Sequence, residues 1–360
     1  MITESRTQGI PTFASRVRGL MLGLALGDAV GSKGSDVPPS GVLDAGVATQ
    51  LAAWTAEGLL RTATRFGGRV LENHQQVVHH AYARWADPRL TRPLGGGRQE
   101  GVYGPGPDRG WLADVLAMSE VRGSSPATLR AIEAGRPTSS AGCQGLLRCL
   151  PVAAICDPRQ AAAPASLAEV VRYARELCAL THQGPYVRRA TGIATHIILG
   201  CLHATGPIGD VIRQAIGDHT LRVPQAIVDC DRLGRSEPCV PEILERIAPD
   251  RTALAALAGG VYVARSFPEA DTCADALKFA GWAPDGDSVA AVAGAFLGAV
   301  HGYEALPVGL TSRLELGWVM DRLAIALARQ AQENQAGTGW KADIVEPGVD
   351  PWWDSKYPGV

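Results

Sequence analysis

The stretch "RGLMLGLALGDAVGS", residues 18–32, constrains the fold more than any other part of the sequence. Gly19, Gly23, Gly27 and Gly31 recur every fourth residue. In a helix that spacing lines the glycines along one face, because residues four apart are surface neighbours. Such a face costs helix stability, up to about 1 kcal/mol per glycine relative to alanine. It makes sense only where a second helix comes unusually close. Asp28 sits near the end of the same helix, a lone carboxylate in an apolar setting. If buried it needs partners, and backbone donors at the following loop are the simplest ones.

Helical periodicity dominates the rest of the chain. It predicts helices over 14–30, 48–66, 70–86, 111–121, 126–134, 142–155, 166–180, 185–204, 208–216, 241–247, 251–266, 271–280, 287–303 and 310–332. Most are rich in Ala and Leu, with Gly or Pro at the joints. One short strand is expected around 223–229, and runs of alternating β-branched residues are otherwise scarce. The expected fold class is therefore all-α, a single large helical bundle. Three parts are expected: an N-terminal extension (1–14), the bundle (15–332) and a tail (333–360) whose Trp340, Trp352, Trp353 and Tyr357 pack it back on the body. Two Gly- and Pro-rich stretches, 31–47 and 91–110, are long enough to be functional loops.

Composition excludes several function classes. Hydrophobic residues make up 46% of the 360 and charged residues 19%, enough for a sizeable core. A formal net charge of −2 with no basic cluster speaks against nucleic acid or an anionic membrane as partner. The eight cysteines form no CxxC pair and several lie in apolar helical surroundings, so they are expected to be buried reduced thiols. The N-terminus lacks the apolar core of a signal peptide, and no apolar run is long enough to span a bilayer. A cytoplasmic location is expected.

A second motif lies near the other end, "WAPDGDSVAAVAGAFLGAVHG", residues 282–302. Asp285, Asp287 and Ser288 crowd three oxygen-bearing side chains into the turn before an Ala/Gly-rich helix. Two carboxylates this close repel unless a cation or a helix N-terminus sits between them. An all-oxygen set suits a hard divalent cation. Ordinary helix capping by Asp287 or Ser288 is the alternative.

Taken together, "GLALGDAVG" and "DGDSVAAVAGAFLGAVHG" resemble the ADP-ribosylglycohydrolase family, over about residues 15–332. Two further segments are similar to it. "TQLAAWTAEGLLRT" (49–62) looks like the helix after the family's first metal motif. "SAGCQGLLRCLPVAA" (140–154) looks like its central element, with Ser140, Gly142, Cys143, Arg148 and Pro151 matching. The resemblance implies an all-α fold, a divalent-metal site for Mg2+ or Mn2+, and hydrolysis of the glycosidic bond between ADP-ribose and an acceptor. The implied metal ligands here are Asp285, Asp287 and Ser288, with Asp44 a possible addition. The implied ligand-binding residues are Asp28, Thr49, Ser140, Gly142 and His182; no catalytic residue is assigned.

One departure matters. The family's first metal motif, a Thr/Ser-Asp-Asp-Thr run, corresponds here to Gly46, Val47, Ala48 and Thr49. Val47 and Ala48 cannot coordinate a metal. Ala141 and Gln144 also stand where the family usually has Lys and Gly. A two-ion site needs anionic ligands from both walls, so one ion rather than two, or none, is expected. Three functional readings stay open: a diverged hydrolase with a reduced metal site, a non-catalytic binder of ADP-ribose-like ligands or of ADP-ribosylated protein, and a structural or regulatory interaction protein. Arg148 is expected to pair with a ligand phosphate or with a buried acid.

Overall fold

The computed structural model describes residues 10–359, apart from 69, 72–74, 90–109, 156–165 and 336–349. The expected loop 91–110 and Trp340 fall almost wholly outside the described residues. Helix α1 (Phe13–Gly31) starts at Thr12, whose hydroxyl accepts the backbone N–H of Ser15 at 3.1 Å. Then come α2 (Val47–Arg65), α3 (Gln75–Ala86), α4 (Leu116–Ser119), α5 (Pro126–Ala134) and α6 (Gln144–Leu147). Helices α7 (Leu167–Ala179), α8 (Pro185–Leu202), α9 (Ile208–Gly217), α10 (Gln225–Ser236) and α11 (Pro241–Ile247) form the middle of the chain. The last group is α12 (Ala253–Ser266), α13 (Cys273–Ala280), α14 (Gly286–His301), α15 (Val308–Thr311), α16 (Gly317–Glu333) and α17 (Trp353–Lys356). Among the described residues there is no strand, only three isolated bridges. The chain is all-α.

The glycine face of α1 meets α14. A methyl built on Gly19 would lie 2.0 Å from the carbonyl oxygen of Gly298; on Gly23, 2.1 Å from that of Gly294; on Gly27, 2.1 Å from that of Ala290; on Gly31, 2.3 Å from that of Gly286. No side chain fits at those separations. As one number rises by four the partner's falls by four, so the helices run antiparallel with backbone against backbone. The C-terminal end of α1, with Asp28, is thereby fixed beside the N-terminal end of α14, with Asp285, Asp287 and Ser288. This pairing is the axis of the core, and both helices are buried along nearly their whole length.

Several predicted elements differ from those observed, each for a local reason. Residues 225–229 open α10 rather than a strand: Pro224 stands at the N-cap, and Ile227, Cys230, Asp231 and Gly234 are buried at helical spacing. The expected helix 142–155 is broken after α6, because Pro151 cannot donate within a continuing helix, and Leu150–Ala154 is a 3-10 turn. The helix expected at 310–332 divides into α15 and α16.

Arg148 pairs with neither an acid nor an open cleft. Its guanidinium donates to the hydroxyl of Thr181 and to the carbonyls of Leu177 and Cys178 at 3.1 and 3.2 Å, and lies 4.4 Å above the Tyr82 ring. It satisfies carbonyls at the end of α7, where a helix favours a cation. In the C-terminal segment Trp353 is buried, and its indole N–H donates to Thr64 of α2 at 3.1 Å. Trp352 is exposed. Among the described residues no helix is long and apolar enough to cross a membrane. Seven cysteines are described; all are free and six are buried.

Candidate ligand-binding cleft

Asp28 anchors the meeting point of α1 and α2. Its Oδ2 accepts the backbone N–H of Thr49 at 2.9 Å and the Thr49 hydroxyl at 2.6 Å. A methyl on Gly46 would stand 2.3 Å from Asp28 Oδ1, so only glycine lets the chain pass the carboxylate at the start of α2. Burial pushes the Asp28 carboxyl up to about 6; the bonds from Thr49 and Gly46 work against that rise, and the Asp287 charge adds to it. Thr49 itself is sealed from solvent, its hydroxyl committed to Asp28.

A cleft of about 880 Å³ opens over this junction. Part of its lining is the α14 entrance, with Asp285, Asp287 and Ser288; another part is Asp44, Gly46 and Val47 at the start of α2. Residues 46–47 and 285–288 therefore border one space. Ser140, Gly142, Cys143 and His182 also line it, with cations from Lys33, Arg122, Arg130 and Arg251. Among the implied metal and ligand-binding residues, only Thr49 stays beneath the surface of this space.

Asp285 occupies the N-cap position and its side chain makes no capping bond, whereas Asp287 Oδ1 accepts the backbone N–H of Ser288 in the first turn of α14 at 2.8 Å. Asp285 Oδ1 lies 3.3 Å from Arg251 Nε, and the Cys143 thiol points at its Oδ2 from 3.6 Å. Cys143 Sγ is also 3.1 Å from the Ser288 hydroxyl. Burial, with the Asp285 charge behind it, pushes this thiol up to about 12, so it is no thiolate nucleophile at neutral pH. Burial and the charge of Asp285 also hold the Asp287 carboxyl above its ordinary range.

The 138–143 segment is clamped on two sides. Thr138 exchanges backbone bonds with Thr181 and Gln183 at 2.9 and 2.8 Å. Cys143 N–H donates to the Arg251 carbonyl at 3.0 Å, and Ala253 N–H to that of Ala141 at 2.8 Å. Ser140 Oγ accepts the Gly142 N–H at 3.1 Å. His182 bonds the Thr181 hydroxyl through Nδ1 at 2.7 Å, and burial, aided by Arg148, pushes its ring down to about 3. It is a neutral hydrogen-bonding group at any physiological pH.

The resemblance to a metal-dependent family raises the question of whether these residues fit a two-ion centre. They do not. Val47, with no donor atom, borders the cleft at a position where the resemblance implies an acidic ligand, and both oxygens of Asp285 already face donors of this chain, Arg251 Nε and the Cys143 thiol. Asp44 pairs with Arg122 at 3.7 Å, and its side chain is 57% exposed. Among the described residues no group of three or more His, Cys, Asp and Glu side chains is spaced to hold a metal ion.

Sequence reasoning missed the cations. Arg122 lies in a loop without periodicity or motif, and Arg251, expected as the first residue of a helix over 251–266, lies in the loop before α12, which begins at Ala253. Arg122 ties together Asp44, Glu120 and Glu315.

Comparison with known proteins agrees with this architecture. A solved structure described as an ADP-ribosylglycohydrolase-related protein complex superposes with a TM-score of 0.58 at 20% identity, covering 89% of this chain and 99% of that one. At that identity the likeness speaks for the fold. No curated protein matches in sequence. A sequence model of the ADP-ribosylglycohydrolase family matches residues 10–337. The chain belongs to the ADP-ribosylglycohydrolase family.

Proposed function

We propose that the cleft binds an ADP-ribose-type ligand, free or attached to a protein side chain, without the two-ion hydrolysis associated with such a site. The observation that carries this reading is that Val47, with no donor atom, borders the same cleft as Asp285, Asp287 and Ser288. A hydrocarbon side chain there gives nothing to a cation, while the space itself is of a size that suits a nucleotide-sized molecule. Its lining mixes carboxylates, which accept from ribose hydroxyls, with guanidinium groups, which suit a pyrophosphate. Buried free thiols fit a reducing compartment, which supports a cytoplasmic location.

A second reading rests on the intact Asp285, Asp287 and Ser288: a diverged hydrolase using one Mg2+ or Mn2+ ion on that wall. Two carboxylates and a hydroxyl are a minimal donor set for such an ion.

Calorimetric titration with ADP-ribose, followed by incubation with an ADP-ribosylated arginine peptide in Mn2+, separates the two. The proposal expects ligand binding without release of ADP-ribose. Turnover that depends on Mn2+ overturns it in favour of the hydrolase, and no binding of ADP-ribose overturns both.

A further inference from the structure

We propose that Arg251 is the resident counter-charge of the acidic wall, occupying with a guanidinium the place a divalent ion would take, so that ligand binding here is independent of metal. Two observations support it. Arg251 Nε lies 3.3 Å from Asp285 Oδ1, and the Asp285 side chain is only 9% exposed. The backbone of Arg251 is held in register: its carbonyl accepts from Cys143, and the neighbouring Ala253 N–H donates to Ala141. The loop carrying the cation is thus fixed to the segment whose thiol contacts the same carboxylate.

The Arg251 side chain is 81% exposed, and only one edge is engaged by Asp285. Arg251 lines the cleft, and its remaining guanidinium N–H groups can donate to a phosphate or a hydroxyl, which a bound cation would also attract. Both parts of the lining then point the same way: Val47 removes a demand for cations in one, and Arg251 meets the demand in the other. The role in ligand binding rests on the function proposed above; the role toward metal does not.

The test uses Mn2+ alone and ADP-ribose as probes, with wild type, Arg251→Gln and Arg251→Lys. Because the side chain is exposed, all three are expected to unfold at the same temperature. Wild type should bind ADP-ribose equally in EDTA and in Mn2+, within about twofold, whereas Arg251→Gln should lose about tenfold in EDTA and regain part of it in Mn2+. Arg251→Gln should also bind Mn2+ about tenfold more tightly than wild type, with Arg251→Lys remaining close to wild type. Wild type losing ADP-ribose in EDTA, or Arg251→Gln binding Mn2+ no more tightly, overturns the inference. If ADP-ribose binds under no condition, the proposed function fails while the Mn2+ comparison still decides the role of Arg251.

Discussion

Asp28 and Thr49 are joined by two hydrogen bonds onto one carboxylate oxygen, at 2.9 and 2.6 Å. This pair ties the end of α1 to the start of α2. Because α1 lies backbone to backbone on α14, it also sets the distance between the start of α2 and the acidic entrance of α14. The geometry of the site is a consequence of helix packing, and the loops complete it.

The Asp28 carboxyl titrates near 6 in the folded protein against an ordinary 3.8. Its folded form therefore holds a proton that the unfolded chain has released, and stability from this group falls as pH rises from about 4 to about 6. His182 works the other way. With a folded value of about 3 against 6.5, its contribution is lost as pH falls from about 6.5 toward 3. Replacing Asp28 by Asn should remove the first effect and expose the second. Urea unfolding from pH 4 to 6.5 should then show the Asp28→Asn variant gaining on wild type with rising pH, by on the order of 1 kcal/mol per unit. A difference between the two proteins that stays constant with pH contradicts the assignment.

The glycine pairing of α1 with α14 makes a sharper mechanical prediction. A methyl at Gly294 would lie 2.2 Å from the Gly23 carbonyl oxygen, a backbone atom that cannot swing aside. Gly294→Ala should destabilise by about 3 kcal/mol or more, since overpacking forces the helices apart along their length. At Gly217, the last residue of α9, an added methyl meets nothing within 4 Å. Gly217→Ala should be neutral or stabilise by about 0.4–1 kcal/mol. Thermal unfolding of the two variants beside wild type checks both.

Much of the fold is legible in the sequence because its strongest signals are periodic. The four-residue glycine spacing of α1 announces close packing, and the α14 motif repeats small residues in the same way. What the sequence does not show is that these two faces meet each other, or in which direction. That requires chain topology, and no local property encodes it. Expectations failed where one residue overrode the pattern: Pro151 ends the helix after α6, and Pro224 opens helix α10 where a short strand was expected. At the site, Asp28, Asp285, Asp287 and Ser288 could be singled out because acids in apolar or crowded settings are conspicuous. Arg251 could not. Its importance comes from where a backbone bond to Cys143 holds its loop, and an isolated arginine in a loop carries no such signal.

The most direct test of the account concerns Val47. This residue borders the cleft, whereas Ala48 is buried and does not, so Val47→Asp alone adds a carboxylate beside Asp44 at the start of α2. Mn2+ titration by calorimetry, with Val47→Asn as the uncharged control, measures the consequence. If the start of α2 and the acidic turn enclose one cation-sized space, Val47→Asp binds Mn2+ at least about tenfold more tightly than wild type and Val47→Asn does not. A folded Val47→Asp protein with the Mn2+ affinity of wild type would contradict it.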